Sequence, residues 1–108
     1  MSAEFAQRLE ALLASGKETA MLRYSLGKSY LDAGNVLVAR THLERAVELD
    51  PHYSVGWKLL GRAYLELDDR TGAREAWSKG LGCAQARGDA QVVKELGVFL
   101  RRLDKAPE

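Results

Sequence analysis

One cysteine and two histidines are the residues of this chain whose types could support catalysis by a nucleophile and a general base. A thiolate at Cys83 could attack an electrophilic carbon if His42 or His52 lay within hydrogen-bond reach and a third group oriented the imidazole. Asp68 and Asp69 are adjacent carboxylates, a residue type used in acid–base catalysis. Whether any of these groups meet depends on the elements that carry them.

A repeat organises the chain that carries these residues. Residues 20–53 align with residues 54–87 at an offset of 34. Six aligned pairs are identical: Leu26/Leu60, Gly27/Gly61, Tyr30/Tyr64, Leu31/Leu65, Ala39/Ala73 and Arg40/Arg74. The identities fall in two clusters, one in each of two predicted helices, whereas chance identities would be scattered. The pattern predicts two copies of a helix pair.

The residues at the repeated positions resemble the signature of a known family. The second unit reads Trp57-x2-Leu60-Gly61-x2-Tyr64 and then Ala73-x3-Trp77, and the first reads Leu26-Gly27-x2-Tyr30, then Ala39-x3-Leu43, and closes with Asp50-Pro51. In period, order and residue size this is similar to the tetratricopeptide repeat. Several positions depart from the signature: Arg23 replaces its tryptophan, Leu43 and Trp77 its phenylalanine, Gly80 its small alanine and Gln85 its closing proline. The resemblance implies antiparallel helix pairs stacked into a right-handed superhelix.

The flanking segments extend the array in both directions. Counting back 34 residues places Phe5, Leu9, Leu12 and Leu13 on one helical face, as in the second helix of a truncated repeat. Counting forward, an offset of 36 places Leu96 and Gly97 on the Leu-Gly pair a third time. The last helix is therefore predicted to be a capping helix.

These patterns predict an all-α fold with about six helices, at residues 3–14, 19–33, 36–49, 52–67, 70–86 and 89–103. We expect a single domain over 1–104, made of a half repeat at 3–14, repeats at 20–53 and 54–88 and the capping helix at 89–103, with a disordered tail at 105–108. Side chains suited to cap helix starts are found at Asn35, Asp50, Asp69 and Asp89. Pro51 suits a first helical position, and Gly34 and Gly88 suit helix ends.

The repeat register predicts that no catalytic or metal site forms. Cys83 falls late in a second helix, His42 in another repeat and His52 in a turn. One cysteine cannot supply the usual zinc ligand sets. Asp68 and Asp69 fall between helices, where helix capping explains them. We expect a protein that is not an enzyme and that needs no cofactor.

The resemblance implies a concave groove, lined by the first helix of each repeat, that usually holds a ligand. The residues pointing away from the Leu-Gly-Tyr face share i, i+4, i+7 spacing and form one stripe per helix. The predicted groove residues are Tyr24, Lys28, Leu31, Lys58, Arg62, Leu65, Lys94, Val98, Arg101 and Arg102. With Asp32 and Glu66, the groove carries six basic and two acidic side chains. We predict that it binds a peptide or protein segment of acidic character.

Two alternatives use the same residues differently. The charges could be an ordinary solvated helix face, with residues 89–103 pairing two copies into a homodimer through an apolar stripe that includes Val92, Leu96 and Phe99. An RNA-binding repeat is disfavoured, since only Tyr24 offers a stacking ring beside the basic stripe. Some family members clamp a C-terminal carboxylate, but Arg62 stands where that clamp has asparagine, and the clamp is not assigned.

Overall charge and the N-terminal sequence define the expected surroundings. The net charge is +1, with 16 basic and 15 acidic residues, which gives no overall attraction to nucleic acid or to anionic membranes. A single cysteine forms no intramolecular disulfide. The first ten residues show no apolar run behind a basic start. We therefore expect a cytoplasmic protein whose partner is another protein or a peptide.

Overall fold

A computed structural model describes residues 3–105 of the chain, and all of its regular structure is helical. The six helices are α1 (Ala3–Ala14), α2 (Ala20–Asp32), α3 (Val36–Leu49), α4 (Ser54–Glu66), α5 (Arg70–Arg87) and α6 (Ala90–Lys105). They confirm the predicted all-α fold of six helices. The helix α6 includes Lys105, the first residue of the expected tail, and residues 106–108 lie outside the described residues.

The six helices pack in two rows. Each helix packs against the next one in the chain. The backbones of α2 and α4 also touch, as do those of α4 and α6, whereas within residues 3–105 the backbones of α1, α3 and α5 do not touch one another. The row of α2, α4 and α6 is therefore the tighter, inner side of a curved stack. The surface of these three helices is the concave face of the protein.

Close helix contacts explain the glycines that recur in the repeats. A Cβ atom on Gly27 would lie 2.5 Å from Cγ of Leu43, and one on Gly61 would lie 2.2 Å from Nε1 of Trp77. Leu43 and Trp77 occupy the same position in successive repeats, so each repeat uses its glycine to admit the large side chain of its own second helix. Trp77 also donates a hydrogen bond to the Lys58 carbonyl at 2.9 Å.

Several predicted helix ends are confirmed, and others are wrong. Asp69 accepts a hydrogen bond from the Gly72 amide at 2.8 Å, and Gly34 and Gly88 have φ angles of +83° and +73°. By contrast, Asn35 makes no capping hydrogen bond through its side chain.

Asp50 and Pro51 do not start α4, contrary to expectation. Asp50 instead ends α3, and its carboxylate accepts from the His52 amide at 3.1 Å. This turn delays the start of α4 to Ser54. A side chain that can cap a helix also stabilises a turn, and the Asp-Pro pair does not distinguish the two.

A polar network joins α1 to the next two helices. Glu18, in the connection between α1 and α2, accepts hydrogen bonds from Arg23 at 2.9 Å and from Arg45 at 3.1 and 2.9 Å. The hydrogen bonds from Arg45 and then Arg23 lower the pKa of the Glu18 carboxyl to about 2. Arg23 stands where the repeat signature has tryptophan, and the network explains that departure: here a charged contact replaces an apolar one.

His42 is the buried member of this network and is only 8% exposed. Its ring stacks on Tyr30, and its Nδ1 lies 3.0 Å from the Arg23 guanidinium. Because a guanidinium only donates, Nδ1 must accept and the proton must sit on Nε2, which lies 3.5 Å from the Glu10 carboxylate. The contact connects α1 to α2 and α3.

The burial of His42 gives stability a pH dependence. Loss of hydration lowers the pKa of His42 below its usual 6.5, and Arg23 adds to the effect, while Glu10 opposes it. The unfolded chain then binds a proton that the folded chain resists, so the free energy of unfolding should decrease as pH falls through about 6.5. Urea titrations between about pH 7.5 and pH 5.5 should show this decrease in the wild type and a flatter profile in His42→Gln. Parallel profiles would contradict the assignment.

The two ends of the stack differ in packing. Val92, Leu96 and Leu103 of α6 are buried against α5, and the other apolar residues of that helix are half-buried. Over residues 4–14 of α1 no side chain is buried, and Phe5 and Leu12 are 38% and 45% exposed. The apolar stripe predicted to pair two copies is therefore mostly used within the chain.

Candidate functional site

The groove residues predicted from the sequence lie on the inner row of helices, but the structure divides them into distinct groups. Three of the six basic side chains form ion pairs. Lys28 pairs with Asp32 at 3.2 Å and Arg62 with Glu66 at 4.0 Å, each within one helix. The third pair crosses between helices: Nζ of Lys58 on α4 lies 2.9 Å from Oε1 of Glu95 on α6.

Two predicted apolar contact residues contribute little to the surface. Leu31 is 5% exposed and lies in the core cluster with Leu43, Val47 and Leu60, so its assignment to the groove surface is wrong. The spacing placed Leu31 on the groove stripe, but its side chain packs into the core. Tyr24 is half-buried and packs edge-on against Tyr53, with ring centroids 5.4 Å apart.

The other three basic residues predicted for the groove all lie on α6 and form no ion pair among the described residues. Lys94, Arg101 and Arg102 are all exposed. Because the charges on α2 and α4 are balanced by neighbouring carboxylates, the unbalanced positive charge of the inner face is concentrated on its last helix. Val98, also predicted to line the groove, is half-buried on the same helix.

An open cleft of about 510 Å³ brings three of the predicted residues together. Arg62 and Leu65 on α4 face Arg102 on α6 across this cleft. Its other lining residues are Arg70, Trp77, Phe99 and Leu103. The cleft lies where the C-terminal ends of α4 and α6 meet the N-terminal end of α5, and we call it the inner cleft.

The inner cleft combines an apolar interior with a basic rim. Trp77 and Leu103 are buried, Phe99 packs on Trp77 with ring centroids 5.3 Å apart, and Leu65 is 38% exposed. Arg70 is fixed in place because its guanidinium donates to the Leu103 carbonyl. A surface of this kind can bury an apolar group and hold carboxylates beside it.

The opposite side of the stack has two further clefts, of about 420 and 630 Å³. Both are lined by Glu44, Trp57, Tyr64 and Lys79. The Tyr64 hydroxyl donates to Glu44 at 2.6 Å, and burial followed by this hydrogen bond raises the pKa of Tyr64. Nζ of Lys79 lies 5.0 Å from the centre of the Trp57 ring. These side chains bind one another, and they provide no concentrated charge for a ligand.

Among the residues first considered for catalysis, no hydrogen bond of the described structure joins Cys83 to a histidine side chain. Sγ of Cys83 lies 3.4 Å from the Pro51 carbonyl, His42 is held by Arg23, and His52 is exposed. Across residues 3–105, no three histidine, cysteine or carboxylate side chains are grouped to hold a metal ion. In the same part of the chain no helix has the length and apolar character to cross a membrane. The cytoplasmic location stays a prediction.

Sequence reasoning missed four residues of the inner cleft and the partner of Lys58. Trp77 was placed on the repeat signature and Phe99 on the stripe of the homodimer alternative, while Arg70 and Leu103 were given no place in the groove. A repeat pattern does not show which of its residues border an opening. The contact of Lys58 with Glu95 could have been predicted, because Glu95 is next to the residue that corresponds to Lys58 on the next inner helix, and opposite charges there can pair.

Sequence comparisons relate the chain to tetratricopeptide repeat proteins. The family described as tetratricopeptide repeat matches residues 6–54 and 24–90. A TPR repeat-containing protein of Pseudomonas aeruginosa is 55% identical over 98 residues, which cover 91% of this chain and 93% of that protein. A heat-shock protein cognate co-chaperone of Aspergillus fumigatus is 31% identical over 78 residues, 72% of this chain and 23% of that protein.

Solved structures have the same arrangement of helices. A protein from Bordetella parapertussis superposes with a TM-score of 0.82 at 51% identity, covering 97% of this chain and 90% of that one. A tetratricopeptide repeat domain protein from Salinibacter ruber superposes with a TM-score of 0.78 at 26% identity, covering 84% of this chain and 92% of that one. These matches confirm the fold predicted from the repeat signature.

Proposed function

This chain belongs to the tetratricopeptide repeat family, and on that premise we propose that it is a protein–protein interaction module that binds an acidic segment of another protein on its concave face. The observation that carries the proposal is the unbalanced positive charge at the end of that face. Lys94, Arg101 and Arg102 stand exposed on α6 without an ion pair among residues 3–105, and Arg62 lies across the inner cleft from Arg102.

The charge distribution favours one half of the concave face as the binding surface. On α2 and the first half of α4, Lys28 and Lys58 already interact with carboxylates. A ligand carboxylate would have to displace these partners, whereas the cations of α6 have no such competitor in the described structure. Positive potential in a concave surface also speeds the approach of an acidic partner. We therefore place the binding surface on α4 and α6.

The carboxylate clamp known in some family members is not the mode proposed here. Lys58, on a plausible clamp position, is held by Glu95 at 2.9 Å, and Arg62 stands where the clamp has asparagine. The fungal co-chaperone supports a role in protein interaction, but the residues of this chain favour a different contact. A stack of six helices offers a small face, so we expect a total interface below about 1,200 Å².

Charge reversal on the exposed part of α6 tests the proposal. A partner is first identified by affinity capture from an extract of the source organism, and its acidic segment is then synthesised and titrated. Lys94→Glu with Arg101→Glu should weaken this segment at least about tenfold, because two contacts become repulsions. The affinity of the wild type should also fall as salt rises.

A matched control makes the charge-reversal experiment specific. Arg8→Glu with Lys17→Glu changes the net charge equally at exposed positions on and beside α1. These substitutions should leave affinity within about twofold of the wild type. Equal losses in both double variants, with helical content unchanged by circular dichroism, would overturn the proposed surface.

The alternative of a self-associating scaffold has less support. It requires residues 89–103 to present an apolar stripe, yet the large apolar side chains of α6 are buried or half-buried within the chain. If the alternative is correct, sedimentation should show a dimer that Phe99→Glu dissociates. A protein that stays monomeric at high concentration would exclude the alternative.

A further inference from the structure

We propose that the inner cleft binds one large apolar side chain, phenylalanine or leucine, that is flanked by carboxylates on both sides in the partner segment. This inference rests on the proposed function, because it names the chemistry that the concave face selects. It adds a specific anchor to a surface that otherwise attracts acidic segments in general.

The interior of the cleft has the size and lining that an apolar anchor needs. Its volume of about 510 Å³ lies within the range of small-ligand pockets. Trp77 and Phe99 provide ring surfaces, while Leu65 and Leu103 provide aliphatic surface on either side. Leu65 is 38% exposed in the absence of a partner, so an inserted side chain would remove apolar area from water.

The aromatic interior is also rigid. Trp77 is buried against Gly61 and tied to the Lys58 carbonyl at 2.9 Å, so its ring cannot rotate to fill the cleft. Phe99 packs on that ring at 5.3 Å. A preformed apolar surface loses little conformational entropy when an anchor enters, which favours binding even at a small interface.

The basic rim of the cleft determines which residues should flank the anchor in the partner segment. Its three arginines come from three elements: Arg62 from α4, Arg70 from the start of α5 and Arg102 from α6. In the described structure Glu66, 4.0 Å from Arg62, is the one carboxylate paired with any of them. Cations on three elements suit several carboxylates around one apolar group better than a single one, so a peptide segment fits this rim better than a simple acyl chain.

Fluorescence anisotropy with three peptides tests the proposal. The probe is a fluorescein-labelled, amidated peptide Gly-Asp-Glu-Phe-Glu-Asp-Gly. The second peptide carries serine in place of phenylalanine, and the third carries asparagine and glutamine in place of the four acids. We expect saturable binding of the probe, at least tenfold weaker binding of each of the other two, and loss of probe affinity as salt rises.

Two pairs of variants locate the binding. Arg102→Glu should weaken binding of the probe at least about tenfold, while Lys17→Glu, at an exposed lysine beside α1, should weaken it less than about threefold. Leu65→Ser should weaken the probe strongly, whereas Leu37→Ser, at an exposed leucine of α3, should leave affinity unchanged. All four residues are exposed, so the variants should fold.

The possible failures separate this inference from the proposed function. Equal binding of the phenylalanine and serine peptides would overturn the anchor while leaving an acidic groove intact. Equal effects of Lys17→Glu and Arg102→Glu would also overturn it, because binding would then not be located at the cleft. No probe binding up to about 1 mM would also overturn it. Binding of a fatty acid that competes with the probe at equal or higher affinity would overturn the choice of a peptide. The proposed function itself fails only with the charge-reversal experiment on α6.

Discussion

Alanine at Gly61 should destabilise the protein by about 3 kcal/mol, although alanine favours helix over glycine by about 1 kcal/mol. The added Cβ would lie 2.2 Å from Nε1 and 2.4 Å from Cδ1 of Trp77. The ring fills the gap between α4, α5 and α6, so it cannot move aside without breaking its hydrogen bond to the Lys58 carbonyl and its packing on Phe99. Urea denaturation followed by circular dichroism measures the loss.

Gly97 provides the matched control for Gly61. It holds the same position of the repeat on α6, but a Cβ there would meet only the guanidinium end of Arg101, at 3.4 Å. Gly97→Ala should therefore stabilise the protein by about 0.5–1 kcal/mol through helix propensity alone. If both substitutions changed stability in the same direction, the close contact of Trp77 with Gly61 would not be the reason for the glycine.

The second large effect is expected at Leu96, whose truncation to alanine should cost about 3 kcal/mol. Leu96 has no exposed area, and its Cδ1 lies in the notch at Gly80, 3.1 Å from where a Cβ on that glycine would stand. Removing three carbons leaves a cavity that the backbone of α5 cannot close. Chemical denaturation measures this loss, and weaker amide protection in α6 would place it there.

Leu12 shows by contrast how little α1 depends on apolar burial. It is 45% exposed, and Leu12→Ala should cost less than about 1 kcal/mol. A large loss at Leu12, or a small one at Leu96, would contradict the difference in packing between the two ends of the stack.

The repeat period was sufficient to predict the helices and their pairing. The spacing of Leu60, Gly61 and Trp77 in the sequence predicts that Gly61 lies opposite the large side chain of Trp77, and the structure has this contact. The repeat period alone does not show whether a capping residue will start a helix or close a turn. At Asp50 the same carboxylate could cap a helix or close a turn, and the geometry of the connection selected the turn.

The sequence predicted where the candidate site lies better than it predicted which residues form it. The stripe spacing placed Arg62, Leu65 and Arg102 on one face, and they do line one cleft. Spacing could not show that Leu31 turns inward or that Lys58 finds a carboxylate on the next helix, because both depend on how far neighbouring helices are rotated. The contact of Arg23 with His42 was not predicted for the same reason, because it joins side chains on two different helices, 19 positions apart in the sequence.

The two rows of helices give the molecule a mechanical property. Backbone contacts join α2 to α4 and α4 to α6, whereas α3 and α5 are separated by open clefts. Bending about the inner row therefore widens or narrows the outer gaps and leaves the tight contacts in place. We therefore expect the stack to be stiff along its inner row of helices and to deform more easily across its outer row. A partner held between α4 and α6 would set the curvature of the whole array, and force applied to the ends would alter how tightly that partner is held.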